Sequence, residues 1–215
     1  MRAYWRFDNG AGTTTGDSSG NGNTAALGSG VSFTSGAKVG PFAVQFTGGA
    51  TSRLTVPDNA SLDIAGSAFS LEAWVYATGC NSSYAVLLMK LNQYSLALHS
   101  ANGVCGLTYA DGATFSYAAI GDHGAISLTT WHHVVVTFDG SALSFYVDGA
   151  LQGTPLARAG TLTTTANSLL LGAYDSAGDF ALPSGSRLDD VVVWARTLSA
   201  AEVAARFAGA PAPTP

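Results

Sequence analysis

The stretch Trp131–Gly149 reads WHHVVVTFDGSALSFYVDG and decides the fold. Its first half alternates, so that every second side chain from His132 to Phe138 shares one face, which is the period of a β-strand. The pair Asp139-Gly140 follows, and it supplies the positive φ angle that a tight hairpin turn needs. The second half alternates again until a second Asp-Gly pair ends it. The stretch therefore predicts an antiparallel β-hairpin.

Further strand-like segments recur along the chain with turn residues between them, which is typical of a sandwich or jelly roll. The predicted strands are Ala3–Phe7, Ala43–Phe46, Arg53–Val56, Phe69–Tyr76, Ala85–Leu91, Tyr94–His99, Val104–Tyr109, Thr114–Ala119, Ser168–Leu171 and Arg187–Trp194. Asp8–Gly30 is predicted as one long loop. Ser199 and Glu202 have capping-box spacing, so Ala200–Phe207 is predicted as a short helix. The predicted fold is an all-β, antiparallel, two-sheet jelly-roll sandwich with one short C-terminal helix.

The composition excludes several kinds of partner. Charged residues make up 11% of the chain, against a usual share of about 25%. The net charge is −5 and the only lysines are Lys38 and Lys90. Without a basic patch, nucleic acids and anionic membranes are not expected partners. No segment approaches the ~20 apolar residues of a membrane-spanning helix, so membrane insertion is not expected.

The two ends of the sequence indicate one module of a longer polypeptide. The opening MRAYWRFDNG has no apolar segment of a signal peptide and is typical of a strand inside a domain. Residues 1–208 are predicted as the folded domain and residues 209–215 as a linker rich in Pro and Ala. We expect a secreted or surface protein of a bacterium, with this domain joined to others.

The two cysteines suit the same location. Cys80 and Cys105 flank the strand-like stretch Ser83–Ser100, which returns the chain toward its start. A disulfide between them is predicted and is expected to stabilise the fold by roughly 3–4 kcal/mol in the chain-entropy model. The alternative is two unpaired, buried thiols.

Four blocks of the sequence resemble laminin-G-like domains, which belong to the concanavalin-A-like lectin/glucanase jelly rolls. The blocks are the hairpin Trp131–Gly149, the opening Tyr4–Leu27 with its DSSGNG loop, the FSLEAWV strand in Phe69–Gly79 and the closing LDDVVVWARTLSAAEV in Leu188–Val203. The resemblance covers nearly the whole chain and implies the jelly-roll fold. It indicates less about function, because this scaffold hosts unrelated activities.

A calcium site is the first functional prediction. Oxygen-bearing side chains alternate in the loop Asp17–Asn23, and calcium takes six to eight oxygen ligands. The resemblance places strand Arg187–Trp194 beside the first strand, and members of the family often hold one structural calcium there. The predicted ligands are Asp17, Asn21, Asn23 and Asp189. The alternative is a turn in which these side chains bind their own backbone.

A sugar-binding surface is the second prediction. Sugar rings stack on exposed aromatic side chains while polar groups bind their hydroxyls. The predicted ligand-binding residues are Trp74, Tyr94, Tyr109 and Tyr117; further aromatic and polar candidates are Tyr84, Tyr174 and His99. The alternative assigns such aromatics to the core, because most of them fill the interior of a two-sheet sandwich.

Catalysis is not expected. A glycosidase needs two carboxylates across one bond, and the chain has only two glutamates, Glu72 and Glu202, the second in the capping box. His132 and His133 point to opposite faces and are predicted to have no catalytic or metal partner. The sequence therefore favours a non-catalytic, calcium-stabilised, carbohydrate-binding module that binds a polysaccharide or glycan. A protein-binding or structural spacer domain of an adhesin, with a cell-surface protein as partner, is the alternative, and a glycoside hydrolase or polysaccharide lyase is a more distant one.

Overall fold

The computed structural model describes residues 1–80, 84–101, 104–109, 124–158, 160–174 and 180–211. Its strands are β1 (Ala3–Trp5), β2 (Thr14–Thr15), β3 (Ala25–Leu27), β4 (Val31–Thr34), β5 (Ala43–Phe46), β6 (Leu54–Val56), β7 (Phe69–Tyr76), β8 (Ala85–Lys90), β9 (Tyr94–Ala101), β10 (Val104–Thr108), β11 (Ala125–Ile126), β12 (Trp131–Phe138), β13 (Ala142–Val147), β14 (Ala150–Ala157), β15 (Leu169–Leu171) and β16 (Arg187–Trp194). The helices are α1 (Ala200–Phe207) and a short 3-10 turn at Ala60–Leu62. The predicted strand Thr114–Ala119 lies outside the described residues.

These strands form two antiparallel sheets that pack face to face. Sheet I has the order β14-β13-β12-β7-β16-β5-β4, with β1 paired to β16. Sheet II has the order β11-β10-β9-β8-β15-β6-β3-β2. Every named pairing is antiparallel. The predicted all-β jelly-roll sandwich with one C-terminal helix is confirmed. In the described part of the chain, no helix has the length and apolar character needed to cross a membrane.

The hairpin forms as its alternation predicts. Val136 of β12 lies opposite Phe145 of β13, and both side chains belong to the core between the sheets. Val135, the residue before Val136, points to the other face of sheet I. Asp148 and Gly149 have φ angles of 51° and 79°, as the turn into β14 requires.

The secondary structure differs from the prediction at β2, β3, β4, β11 and β14, none of which was predicted as a strand. The predicted loop Asp8–Gly30 contains β2 and β3, which are too short to show a period in the sequence. Strand β14 was not expected, because its sequence includes Gly153 and Pro155 and most of its side chains are exposed. As an edge strand of sheet I it tolerates both residues, since one side of its backbone needs no partner.

Helix α1 covers part of the outer face of sheet I. Beneath it lies a second hydrophobic cluster formed by Val135, Tyr146, Val192, Trp194, Leu198 and Val203. The capping box is confirmed: Glu202 N donates to Ser199 Oγ at 3.2 Å, and Ser199 N donates to Glu202 Oε2 at 2.8 Å.

A buried ionic network holds α1 on the sheet. Oε1 of Glu72 lies 3.0 Å from His133 Nε2 and 2.9 Å from Arg206 Nε, while Trp194 Nε1 donates to Oε2 at 3.0 Å. Burial alone would raise the pKa of Glu72, but the His133 hydrogen bond and the Arg206 charge hold this pKa below its ordinary value. The helix is therefore fixed to β7 and β12 by a charged contact as well as by apolar packing.

The predicted disulfide is confirmed. Cys80 and Cys105 are bonded, with their Cα atoms 5.8 Å apart. Cys80 follows β7 of sheet I and Cys105 lies in β10 of sheet II. The bond therefore links the two sheets at one end of the sandwich.

Candidate functional site

The loop after β1 is held together by the Asp17 carboxylate. Its Oδ1 accepts hydrogen bonds from Tyr4 N (2.9 Å) and Ser19 N (2.8 Å). Its Oδ2 accepts from Ser19 Oγ (2.8 Å) and Asn23 N (3.0 Å). Four donors therefore surround the two oxygens, which is the pattern of a side chain that stabilises its own turn.

The two asparagines of this loop bind the first residues of the chain. The side-chain amides of Asn21 and Asn23 each donate to the carbonyl oxygen of Arg2 at 2.9 Å. Asn23 Oδ1 accepts from Ser61 Oγ at 3.0 Å. The loop is therefore tied to β1 and to the 3-10 turn.

Asp189 lies in a separate network. Its Oδ2 accepts from Lys38 N (2.9 Å) and Val39 N (2.8 Å), and its Oδ1 accepts from Asp190 N (3.0 Å). It shares none of these partners with Asp17. Burial and the neighbouring Asp190 charge, opposed by the Val39 and Lys38 hydrogen bonds, raise the pKa of Asp189 to about 7.

These arrangements do not fit a calcium ion. The predicted carboxylates face hydrogen-bond donors instead of each other, and calcium needs several oxygens converging within 2.3–2.6 Å. Within the described ranges, no group of three or more His, Cys, Asp or Glu residues could hold a metal. Asp17, Asn21 and Asn23 thus share one loop network, Asp189 lies in a separate one, and calcium binding stays a prediction.

Two of the predicted sugar-binding aromatics are core residues. Tyr94 is buried, and its hydroxyl donates to the carbonyl of Leu62 at 2.9 Å. Tyr109 is buried against Phe69, with 5.5 Å between the ring centroids. Neither ring offers a face to a ligand, so this part of the prediction is corrected. Tyr117 lies outside the described residues.

Trp74 lies on the outer face of sheet I beside α1. It is 5% exposed, and its ring centroid is 5.1 Å from that of His133 and 5.8 Å from that of Phe207. Lys38 Nζ lies 4.6 Å from the ring centroid. The indole forms part of the wall of a cleft of about 640 Å³ between α1 and the sheet. Most of its surface is thus already covered by neighbouring side chains.

Three further candidates from the sequence, Tyr84, His99 and Tyr174, come together with Phe180, which the sequence did not single out, on the outer face of sheet II. We call this group the aromatic row: Tyr84, His99, Tyr174 and Phe180. The centroid of Tyr84 lies 5.3 Å from His99 and 5.8 Å from Phe180, to which its ring is nearly parallel at 16°. Tyr174 meets Phe180 edge-on at 5.6 Å. All four side chains are half-buried, so each ring retains an accessible portion.

The strand pattern fixes the side of the sheet on which the row lies. Ala85 and Leu98 belong to the core, so the residues next to them, Tyr84 and His99, point away from it. Phe180 reaches the row because its carbonyl accepts a hydrogen bond from Val86 N at 3.0 Å, alongside β8. The row therefore runs across the ends of neighbouring strands.

Polar atoms without protein partners lie on the same face. Within the described part of the chain, the buried Thr108 Oγ1 and His99 Nδ1 form no hydrogen bond. Desolvation lowers the pKa of His99 below its ordinary value, so its imidazole is neutral at neutral pH. Buried polar groups are normally satisfied, so these atoms favour a face that binds water or a polar ligand.

His132 has partners that sequence reasoning missed. Its Nδ1 lies 2.7 Å from Asp148 Oδ2, and its Nε2 lies 2.8 Å from Ser127 Oγ. This order of groups resembles an acyl-transfer triad. However, Nε2 also accepts the Ser127 backbone N–H at 3.2 Å, so its lone pair is already engaged by the main chain. The arrangement suits a clamp between the hairpin turn and the preceding loop.

The prediction that neither histidine has a catalytic or metal partner stays a prediction, but both histidines have hydrogen-bond partners that the sequence did not reveal. His133 is hydrogen-bonded to Glu72, and His132 to Asp148 and Ser127. Glu72 is 61 residues from His133 in sequence, and Asp148 approaches His132 only when the hairpin closes. The sequence held one signal for these contacts, the predicted hairpin of β12 and β13, because its closure brings Asp148 next to the start of β12.

A family model described as the concanavalin A-like lectin/glucanases superfamily matches residues 47–204, more than half of the chain. The chain belongs to this superfamily. No curated protein matches the sequence significantly. Membership agrees with the observed jelly roll and with the resemblance found in the sequence blocks.

Several solved structures share this fold. Domain 4 of AbnA, an extracellular arabinanase of Geobacillus stearothermophilus solved with arabinotriose, superposes with a TM-score of 0.71 at 18% identity, over 95% of this chain and 96% of that domain. The binding domain of paraclostridial mosquitocidal protein 1 gives a TM-score of 0.69 at 18% identity, over 95% of this chain and 51% of that one.

The botulinum neurotoxin serotype D ligand-binding domain, solved with N-acetylneuraminic acid, gives a TM-score of 0.68 at 13% identity, over 96% of this chain and 50% of that one. This chain thus spans almost all of the arabinanase domain and about half of each toxin domain. At these identities the likeness shows the fold alone.

Proposed function

We propose that this protein is a non-catalytic carbohydrate-binding module that binds glycans across the aromatic row of sheet II. The observation that carries the proposal is the row itself: half-buried rings of Tyr84, Tyr174 and Phe180 lie beside a neutral His99 on one outer sheet face. Structural neighbours support it, since the arabinanase domain was solved with arabinotriose and the neurotoxin domain with N-acetylneuraminic acid.

The proposed mechanism combines stacking with hydrogen bonding. A sugar presents apolar C–H groups on one face of its ring, and these pack on aromatic rings such as Tyr84 and Tyr174. The tyrosine hydroxyls and the neutral imidazole of His99 both donate and accept hydrogen bonds, so they can bind sugar hydroxyls. Recognition is therefore suited to an uncharged, extended saccharide.

The environments of the glutamates favour binding over hydrolysis. Glu72 is enclosed by His133, Trp194 and Arg206, and Glu202 serves the helix cap. Neither glutamate is placed to act across a glycosidic bond with a second carboxylate.

The location remains that predicted from the sequence: a secreted or surface protein, proposed to be bacterial, in which this domain is joined to others. The Cys80–Cys105 disulfide supports an oxidising, extracellular environment. A protein-binding or spacer domain of an adhesin is the competing function, and it needs no exposed row of rings.

A glycan array followed by affinity electrophoresis on soluble polysaccharides tests the proposal. We expect wild-type binding to at least one neutral polysaccharide, and Tyr174→Ala or Phe180→Ala to weaken it by roughly three- to tenfold, because each removes one stacking ring. Leu151→Ala is the matched control, since Leu151 is an exposed apolar side chain on the other sheet. Wild-type protein that binds no plant, algal or host glycan would favour the spacer function instead.

A further inference from the structure

A cleft separates α1 from the outer face of sheet I, on the opposite side of the sandwich from the aromatic row. Its volume is about 640 Å³, within the ~300–1,000 Å³ range of small-molecule sites. Strands β1, β7 and β16 each contribute a side chain to its wall, namely Tyr4, Trp74 and Asp190. The end of α1 and residues Ala208–Pro211 form the facing wall.

An exposed aromatic ring lines this cleft. Phe207, the last residue of α1, is 40% exposed and lies against Trp74 with 5.8 Å between the ring centroids. Most large apolar side chains of the described chain are buried, so an exposed phenyl ring on the wall of a cavity is a feature of that cavity. It offers an apolar face to a ligand inside.

Asp190 is directed into the cleft by a distortion of β16. The pairing of β16 with β7 shifts register between Asp189 and Val192, which marks a β-bulge, and Asp190 has a φ angle of 45°. Non-glycine residues rarely adopt this conformation, and bulges commonly re-aim a side chain beside a functional site. Oδ1 of Asp190 accepts a hydrogen bond from Tyr4 Oη at 2.7 Å.

The charges around the cleft are balanced. Arg6 lies 3.2 Å from the carboxylate of Asp8, and Arg206 lies 2.9 Å from that of Glu72. Lys38 is the remaining side-chain cation of the lining. With two of the three side-chain cations already neutralised, the side chains of the cleft carry no strong excess of positive charge to attract an anion.

Lys38 and Asp190 supply the polar ends of the site. The Lys38 ammonium, which carries three N–H donors, lies over the Trp74 ring, 4.6 Å from the ring centroid. The Asp190 carboxyl, held by Tyr4, provides an acceptor oxygen that is not used in that bond. An aromatic face with one donor and one acceptor nearby matches the apolar face and hydroxyl groups of a sugar ring.

We propose that this cleft is a second saccharide-binding site, which takes a neutral sugar with its C–H face on Phe207 and its hydroxyls on Asp190 and Lys38. The inference does not depend on the aromatic row, because the two surfaces share no residue and lie on opposite sheets. One domain would then bind two saccharide segments and cross-link polysaccharide chains.

The test uses NMR titration of the whole chain with arabinotriose, xylotriose, cellotriose and mannotriose. The indole N–H signal of Trp74, assigned by its loss in Trp74→Phe, reports on the cleft. We expect at least one trisaccharide to shift this signal. Phe207→Ala should weaken that binding by roughly three- to tenfold through the lost stacking face. Lys38→Ala should weaken it independently, and Leu151→Ala should leave it unchanged.

The outcomes separate this site from the aromatic row. A Trp74 signal that no trisaccharide shifts, or one that shifts equally in wild type, Phe207→Ala and Lys38→Ala, overturns the cleft as a binding site. If Tyr174→Ala loses polysaccharide binding while the Trp74 signal still shifts with trisaccharide, the aromatic row and the cleft bind independently, which supports the cleft as a site. Cross-linking is measured by light scattering with a long polysaccharide: it should require both surfaces, so Phe207→Ala and Tyr174→Ala should each reduce the increase in particle size.

Discussion

Asp189 and Asp190 are adjacent in the chain, yet the bulge in β16 gives their carboxyl groups different roles. Asp189 accepts three backbone N–H groups and fixes the loop at Lys38 and Val39. Asp190 faces the cleft and accepts the Tyr4 hydroxyl. Burial raises the pKa of both aspartates. At the residue scale, a carboxyl that holds a loop and a carboxyl that faces the cleft are adjacent residues of one distorted strand.

The raised pKa of Asp189 predicts a pH dependence of stability. Its pKa is about 7 in the folded protein against an ordinary value of 3.8, so the folded state holds the proton more tightly. That stabilisation is complete below the pKa that Asp189 has in the unfolded state. It is lost as the pH rises through the pKa that Asp189 has in the folded state. Between these two values, wild type should lose at most roughly 4 kcal/mol of unfolding free energy relative to Asp189→Asn.

Urea denaturation of wild type and Asp189→Asn across this pH range checks the prediction. The asparagine keeps one oxygen for the N–H groups of Lys38 and Val39, so the variant should fold. Asp139→Asn is the contrasting control: hydrogen bonds from Ser141 and Ala142 lower the pKa of Asp139, so its contribution should be lost as pH falls. Parallel stability curves for wild type and Asp189→Asn would contradict the assigned titration.

At the scale of elements, the loop between β1 and β3 is stabilised by its own side chains. Asp17 binds the loop backbone, while Asn21 and Asn23 bind the carbonyl of Arg2. A Gly-rich segment with little apolar content is ordered here because polar side chains replace the missing core contacts. The loop therefore depends on a few hydrogen bonds, and single substitutions should affect it strongly.

Asp17→Ala should lower the free energy of unfolding by about 1–3 kcal/mol, because four donors lose a shared acceptor. Asn21→Ala is the matched control in the same loop: its side chain is exposed, so its loss should cost less. Urea denaturation measures both. Equal effects of the two substitutions would show that the Asp17 network is not what orders the loop.

The calcium site predicted from the sequence is tested on the same loop by thermal unfolding. Since the Asp17 and Asp189 oxygens already face donors, we expect the melting temperature to stay unchanged when EDTA is followed by excess calcium. An increase with calcium in wild type, absent in Asp17→Ala, would restore the calcium site predicted from the sequence.

The elements differ in how far the sequence predicts them. Strands β12 and β13 are long and alternate strictly, so their pairing follows from the residues alone. Strand β14 is an edge strand without a buried period, and only its neighbour reveals it. Tyr84 and Tyr94 also could not be distinguished from the sequence. They lie on opposite faces of one sheet, and alternation shows that a strand has two faces without showing which face is covered.

At the scale of the whole molecule, the disulfide joins sheet I to sheet II at the end of β7. Cys80 and Cys105 are separated by 25 residues. Closing a loop of this length restricts the unfolded chain and should stabilise the fold by roughly 3 kcal/mol in the chain-entropy model. The jelly roll also has a large core between the sheets, so we expect the reduced protein to remain folded at room temperature.

Thermal unfolding with and without a reducing agent checks this prediction. Reduction should lower the melting temperature, and the double variant Cys80→Ala/Cys105→Ala should show the lower value under both conditions. A melting temperature that reduction does not change would contradict a stabilising disulfide. The double variant also controls for effects of the reductant elsewhere in the protein.

The two ends of the described chain meet at the same place: Met1 and Pro211 both line the cleft beside α1. A tag fused to the N-terminus is therefore attached beside the cleft, on the sheet opposite the aromatic row. Immobilising the protein on a sensor through an N-terminal tag should leave the aromatic row facing the solution and obstruct the cleft. Attachment chemistry alone would thus decide which of the two surfaces a binding assay detects.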